Sequence, residues 1–168
     1  MTSQPFVSER QLYRAVVRSR YFRKIKFQLK PIVLKEPQGL SGIPDLMLAL
    51  LNRKDMSTAV MAIELKLSNW RRALFQAFRY RSFAEISIVV LDHARVAPAL
   101  RNIDRFQNAN IGLMSIDRPG KIYIHFRPTS ETPYTVFLST SIKSYLAALF
   151  SKHEGEPKVL SSPRIPRI

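Results

Sequence analysis

The chain has no cysteine, five glycines, one tryptophan and three histidines among its 168 residues. Without cysteine there can be no disulfide and no thiolate metal site, which accords with a reducing compartment. His93, His125 and His153 lie far apart with no zinc-ligand spacing, so each reads as structural or exposed. No Gly-rich phosphate loop and no Gly-x-Ser-x-Gly motif occurs. Long apolar runs are missing as well. The run 46-LMLALL-51 is far short of the roughly 20 residues that a bilayer span needs. The stretch MTSQPFVSER has no apolar signal-peptide core, so a cytoplasmic setting without membrane association is the expectation. Acidic residues are scarce: 12 Asp+Glu stand against 27 Lys+Arg, a net charge of +15.

A surplus of that size says little about fold and much about partners. It points to a polyanion, nucleic acid ahead of an anionic membrane surface, or else to solubility alone. Apolar residues make up 46%, enough to bury a core. The length suits one domain, taken as residues 1–153, followed by a basic Pro/Ser-rich tail over 154–168 that is expected to be flexible.

Residues 8–22 read as a helix, with Ser8 and Gln11 in a capping-box pattern. Glu9, Leu12, Tyr13 and Val16 share one face, and Arg10, Arg14 and Arg18 form another stripe. The alternation in 24-KIKFQLKPIVL-34 predicts a half-exposed strand, and 36–44 a loop. Strands 45–51 and 58–68, joined by a turn at 52–55, should pair as an antiparallel hairpin. A helix over 70–84 and an apolar strand over 86–92 follow, then a weaker helix over 95–106. Short strands at 111–116 and 121–126, turning at Pro119-Gly120, precede a last helix over 139–151. This order predicts an α/β domain around one mixed sheet.

Charges inside the apolar hairpin carry the chemistry. Glu64 and Lys66 are two residues apart and therefore share a strand face. Taken alone they could be a self-neutralising pair facing water. The hairpin brings Asp45 close to Glu64, and two converging carboxylates repel each other. A divalent cation removes that penalty. Oxygen ligands suit Mg²⁺, with Mn²⁺ as a substitute, and the Leu65 backbone carbonyl is a further candidate ligand. Lys66 would then orient a water, lower its pKa, or stabilise charge building on a phosphate.

The segments 42-GIPDLML-48 and 62-AIELKLS-68 resemble the Pro-Asp and Glu-x-Lys motif of the PD-(D/E)xK nuclease superfamily, which includes restriction-type endonucleases and Holliday junction resolvases. The resemblance implies a restriction endonuclease-like αβββαβ core over about residues 8–92. It further implies that Asp45 and Glu64 ligate Mg²⁺ and that Lys66 serves the attacking water. Many members carry an acid on the first helix, a place Glu9 occupies here, although Glu9 reads equally as an ordinary first-turn acid. A Gln-x-x-x-Tyr element after the lysine strand resembles 76-QAFRY-80, which adds Gln76 and Tyr80 to the catalytic candidates. Arg72 is one turn earlier, and the three side chains would look toward Lys66 and a phosphate.

The basic residues supply the expected nucleic-acid surface. Arg10 and Arg14 belong to the first helix, and Arg71, Arg72 and Arg79 to a second cluster with no acid between residues 65 and 84. No dedicated base reader is visible, so binding should follow shape or strand rather than sequence. The function these features imply is a Mg²⁺-dependent DNA endonuclease. The alternatives are a nucleic-acid-binding module of the same fold that does not cleave, and an RNA-processing nuclease. Cutting both strands of a duplex needs two sites, which raises a homodimer, with the 111–126 strands or 141-SIKSYLAALF-150 as candidate interfaces. Tyr145, Leu146, Leu149 and Phe150 read as core more than as interface, and Trp70 as a core anchor rather than a base-stacking platform.

Overall fold

The computed structural model describes residues 4–29, 32–35, 44–51, 58–152 and 159–161. The expected loop at 36–43 and turn at 52–55 lie outside them, as do His153 and most of the 154–168 tail. The chain folds as an α/β domain around a mixed sheet. Its five central strands are β2 (Leu46–Leu51), β3 (Thr58–Lys66), β4 (Ile86–Asp92), β5 (Gly112–Ile116) and β6 (Ile122–Phe126). At one edge β1 (Ile32–Lys35) and β7 (Val159–Ser161) extend it, giving the order β6-β5-β4-β3-β2-β1-β7. The tail is thus partly strand: β7 pairs parallel with β1.

The expected hairpin forms, with β2 and β3 antiparallel and Leu46 opposite Ile63. β4 adds parallel to β3, and β5 parallel to β4. β6 closes antiparallel through a turn in which Gly120 has φ +93, a conformation that favours glycine.

The helices are α1 (Glu9–Arg18), α2 (Arg20–Leu29), α3 (Trp70–Tyr80), α4 (Ala97–Leu100), α5 (Ile103–Asn108) and α6 (Val136–Lys152). They cover both faces. Along β3, Met61, Ile63 and Leu65 pack with Leu12, Val16 and Phe22 of α1 and α2. Val60 and Ala62 pack on the other face against Trp70, Ala73, Ala77 and Tyr80 of α3 and Ile142 and Leu146 of α6. The period of two in the strand sorts its residues between two helical layers. Alanines at 73 and 77 let α3 sit close to the sheet, and the Asn69 side chain caps its start by accepting from Arg72 N.

Four expectations about elements are corrected. The helix over 8–22 breaks at Ser19, whose ψ of 148° leaves the helical region. Its hydroxyl then accepts from Phe22 N at 3.3 Å and starts a second helix. That helix occupies residues 24–29 of the stretch expected as a strand over 24–34, while 32–34 are strand in β1. Phe22, Ile25 and Leu29 follow helical spacing, and that pattern prevails over the two-residue alternation. The helix over 95–106 is two short helices after a 3₁₀ turn (His93–Arg95), with Pro98 in the first turn of α4 and a break at Asn102. Last, α3 stops at Tyr80, and Phe83 and Ala84 fold back in a buried turn, their N–H groups donating to the Tyr80 carbonyl.

Gly112 sits where β5 crosses a crowded layer: a Cβ there would meet Pro128 Cδ at 2.9 Å and Ile88 Cγ1 at 3.0 Å. Gly112→Ala should therefore lower unfolding free energy by about 1–3 kcal/mol. Urea denaturation checks this; an unchanged midpoint would show that the layer gives way freely.

Candidate active site

The site starts where the β2–β3 ladder ends. Extending the register of Leu46 opposite Ile63 sets Asp45 opposite Glu64 and Pro44 opposite Leu65. Proline has no N–H, so Pro44 cannot donate to the Leu65 carbonyl. Nor is the Leu65 N–H left to Pro44: it donates to Asp45 Oδ2 at 2.7 Å. Asp45 is thereby fixed at the strand mouth, with the Leu65 carbonyl directed to the same side of β3 as its N–H. Directly opposed residues in an antiparallel pair have Cβ atoms about 4.5–5.5 Å apart on the same sheet face. Asp45 and Glu64 meet in this way.

Glu64 is 1% exposed and accepts two hydrogen bonds. Tyr80, from α3, donates its phenol to Oε2 at 2.6 Å, and Lys66 Nζ lies 2.9 Å from Oε1. Lys66 also reaches Glu9 Oε1 at 3.6 Å, so the start of α1 closes over the strand end. Glu9, Asp45, Glu64, Lys66 and Tyr80 are thus brought together from four elements.

Tyr80, expected alongside Gln76 and Arg72 to look toward a phosphate, is instead fully buried with its hydroxyl on Glu64. It positions the carboxylate. Gln76 is half-buried, and its Oε1 is buried with no partner. An unmet acceptor costs about 1–3 kcal/mol, so this atom calls for a donor from water or ligand.

The charges act on one another. Burial, and then the neighbouring Glu64 charge, push Asp45 up to about 6, although the Leu65 N–H and Lys66 pull the other way. For Lys66, burial favours loss of the proton. The hydrogen bond and charge of Glu64, with Asp45 and Glu9, outweigh it and hold the ammonium above its ordinary value. Burial and the Glu64 carboxylate raise the Tyr80 phenol, which stays a donor.

Among the described residues, no group of three or more His, Asp or Glu side chains could hold a metal ion by itself. The available oxygen donors are two opposed carboxylates and one strand carbonyl that Pro44 cannot bond. They fit a cation such as Mg²⁺, which keeps several waters and shares substrate phosphate oxygens rather than filling a cage of protein ligands. A nearby cation would offset the Glu64 repulsion that, after burial, raises the Asp45 pKa.

The five expected phosphate-contacting arginines are all exposed but do not form one patch. Arg10 and Arg14 lie on α1, and Arg71, Arg72 and Arg79 on α3 across the sheet, with Arg71 stacked 4.5 Å from the Trp70 ring centroid. Trp70 itself is core, as are Ile142 and Leu146 of the last helix. Every residue of β5 is buried. Among the described residues, the exposed large apolar side chains are Val7, Phe75, Phe78, Tyr134, Val136 and Phe137, so they do not lie on the 111–126 strands.

Sequence reasoning passed over two groups. Asp92 is 0% exposed at the end of β4; it accepts from Phe6 N at 2.9 Å and from Ala94 N at 3.0 Å, and pairs with Arg95 at 3.4 Å. It pins the segment that leads into α1, and hence the position of Glu9. The visible signal was an acid closing a wholly apolar strand. His93 and His125 both contact Ser115 Oγ at 2.8 Å, and His93 stacks on Tyr123 with ring centroids 3.9 Å apart. Burial and the neighbouring His93 lower the His125 pKa. The pairing of β4 with β5 and of β5 with β6 brings the two histidines together.

Comparison of the chain with family models and with curated proteins finds no match. Among the described residues, no helix is long and apolar enough to cross a membrane.

The Asp45 carboxyl holds its proton more tightly in the folded than in the unfolded chain, whose ordinary value is 3.8. Its contribution to stability is therefore fully present below that value and is lost as pH rises through about 6. Asp45→Asn keeps an acceptor for Leu65 N–H without the charge. It should raise stability by about 1–2 kcal/mol at pH ~8 and change it little at pH ~3.5. Thermal unfolding at the two pH values checks this; a loss of stability at the higher pH would contradict it.

Proposed function

We propose that the chain is a Mg²⁺-dependent endonuclease that hydrolyses DNA phosphodiester bonds, with a restriction endonuclease-like core of the PD-(D/E)xK kind. The observation that supports this most is the pairing of Asp45 with Glu64 at the mouth of the β2–β3 hairpin, with Lys66 hydrogen-bonded to Glu64. The element order α1, α2, β1, β2, β3, α3, β4 accords with such a core, with α2 as an addition.

In this reading Asp45, Glu64 and the Leu65 carbonyl hold the cation. When bound, Mg²⁺ supplies Lewis-acid polarisation of the phosphate and a reactive water at neutral pH. The chain's own residues do the rest. Lys66, with its raised pKa, is an ammonium at neutral pH, so it acts as a donor and a positive charge rather than as a base. It would stabilise charge growing on a phosphate oxygen as the bond to the leaving oxygen breaks. Tyr80 holds Glu64 in place by its hydrogen bond. Glu9, 52% exposed, draws Lys66 toward the solvent-facing side where a phosphate would arrive. The Gln76 acceptor would take a hydrogen bond from an incoming water or nucleotide. The cations contact phosphates without reading bases, so the substrate is chosen by shape.

One observation favours a second reading, a nucleic-acid-binding module that does not cleave. Both Glu64 oxygens already have partners within the chain, so Glu64 itself is satisfied without a metal.

Linear, supercoiled, branched and single-stranded DNA, and RNA, incubated with the purified protein separate these readings. The proposal predicts cutting in Mg²⁺ that stops in EDTA, and losses of about 10²–10³-fold in Asp45→Ala and Lys66→Ala. Cutting that ignores EDTA or both substitutions would defeat the site. Tight binding with no cutting of any substrate would favour the second reading, and cutting of RNA alone an RNA-processing enzyme.

A further inference from the structure

A large concavity among the described residues is separate from the carboxylate pair. It is an open groove of about 1520 Å³ between the C-terminal half of α1, the start of α2 and the β5–β6 turn. One wall carries Arg14 and Arg18 of α1 and Arg20, Arg23 and Lys24 of α2. The other carries Arg118 and Lys121. All of these are exposed, and no carboxylate lines the groove among the described residues. Asp117 lies just beneath the turn, but it is buried and accepts from Lys121 N at 2.8 Å and Tyr123 Oη at 3.1 Å.

We infer that this groove is a phosphate-backbone clamp for a nucleic-acid strand, holding the substrate to one side of the bond that is cut. The occupant is argued from three features. Like charges gathered from three elements repel one another, and a polyanion is the ligand that relieves this. The volume exceeds the 300–1,000 Å³ typical of compact small-molecule pockets, which suits an extended polymer. Cations face one another across a concavity, which fits a rod-shaped anion passing between two walls better than a flat membrane surface.

Two contacts hold the cationic wall of the turn in place. Arg118 Nη1 donates to Gln4 Oε1 at 3.1 Å, and Lys121 Nζ sits 4.8 Å from the Tyr123 ring centroid. Gly120, at φ +93, makes the turn that presents both cations.

The groove lies at a definite distance from the carboxylates, because α1 joins the two. Glu9 at its start touches Lys66, and Arg14 and Arg18 follow along the same helix. At 1.5 Å per residue they are about 7.5 and 13.5 Å further on. A duplex strand advances about 3.4 Å per phosphate, so a strand running along α1 would meet the clamp about two to four nucleotides from the cleaved bond. The inference rests on the proposed nucleolytic reading for what the held strand is presented to.

The test is fluorescence anisotropy of a labelled duplex DNA in EDTA, across a KCl series, with the full chain. The groove variant Arg18→Gln/Arg118→Gln/Lys121→Gln is compared with a control, Arg101→Gln/Arg105→Gln/Arg127→Gln, that removes the same charge from exposed sites outside the groove. Circular dichroism melting confirms that both fold. Each lost phosphate contact lowers the log–log salt slope by about 0.9, so the groove variant should lose about two to three units of slope and at least about tenfold in affinity. The control should lose less than about threefold. Equal losses in the two variants would overturn the clamp. So would groove-dependent binding to phosphatidylserine vesicles with none to DNA. Cleavage in Mg²⁺ is read separately. A chain that binds through the groove but cuts nothing keeps the clamp and removes the nuclease; a chain that cuts but binds alike in both variants does the reverse.

Discussion

A missing hydrogen-bond donor organises the site. Pro44 stands where the β2–β3 ladder would place its next donor, and it has none. The ladder stops, β3 runs on past its partner, and the Asp45 side chain takes the Leu65 N–H. That one hydrogen bond turns Asp45 toward Glu64 and leaves a strand carbonyl unbonded by Pro44 beside the two carboxylates. The remaining parts secure this arrangement. β4 supports the extended end of β3 from the other side, α3 brings Tyr80 onto Glu64, and Asp92 pins the segment that brings Glu9 to Lys66.

The cluster is expensive for a protein that only needed to fold. Burial, and then the opposed Glu64 charge, push Asp45 well above its ordinary value, and an ammonium is drawn partly out of water to balance the two acids. Apolar side chains of similar size would stabilise such a strand mouth at least as well. Strain of this kind belongs where a ligand relieves it: a divalent cation would relieve the repulsion, and a water held by it would supply the donor that the Gln76 acceptor lacks. The basic groove along α1 has the same character: charges that repel in the free protein face a space fitted to a polyanion.

Much of the site was legible in the sequence because it depends on strand geometry. A period of two puts Glu64 and Lys66 on one face, and a short connection makes the hairpin that brings Asp45 to them. The spacing from Gln76 to Tyr80 gave the helix and its polar stripe, but burial decides what each side chain does, and Tyr80 proved to serve Glu64 rather than solvent. Residues 24–29 of the 24–34 stretch are helix rather than the expected strand, because charged and apolar residues there satisfy both periods and the Ser19 break makes room for a second helix, whereas 32–34 are strand as expected. The clamp was half visible: the α1 stripe showed in the spacing of Arg10, Arg14 and Arg18, whereas Arg118 and Lys121 join it through sheet topology, which local pattern does not carry. The contact of His93 and His125 through Ser115 escaped notice for the same reason.

The central claim is that Asp45 and Glu64 together bind a divalent cation, and it can be tested without any activity. In ¹⁵N-labelled protein the Leu65 amide donates directly to Asp45, which makes it a reporter within the site. Trace Mn²⁺ should broaden the Leu65 and Lys66 amide signals before others, excess Mg²⁺ should restore them, and Asp45→Asn should abolish the selectivity. Broadening that spares Leu65 and Lys66, or that persists unchanged in Asp45→Asn, would contradict the account.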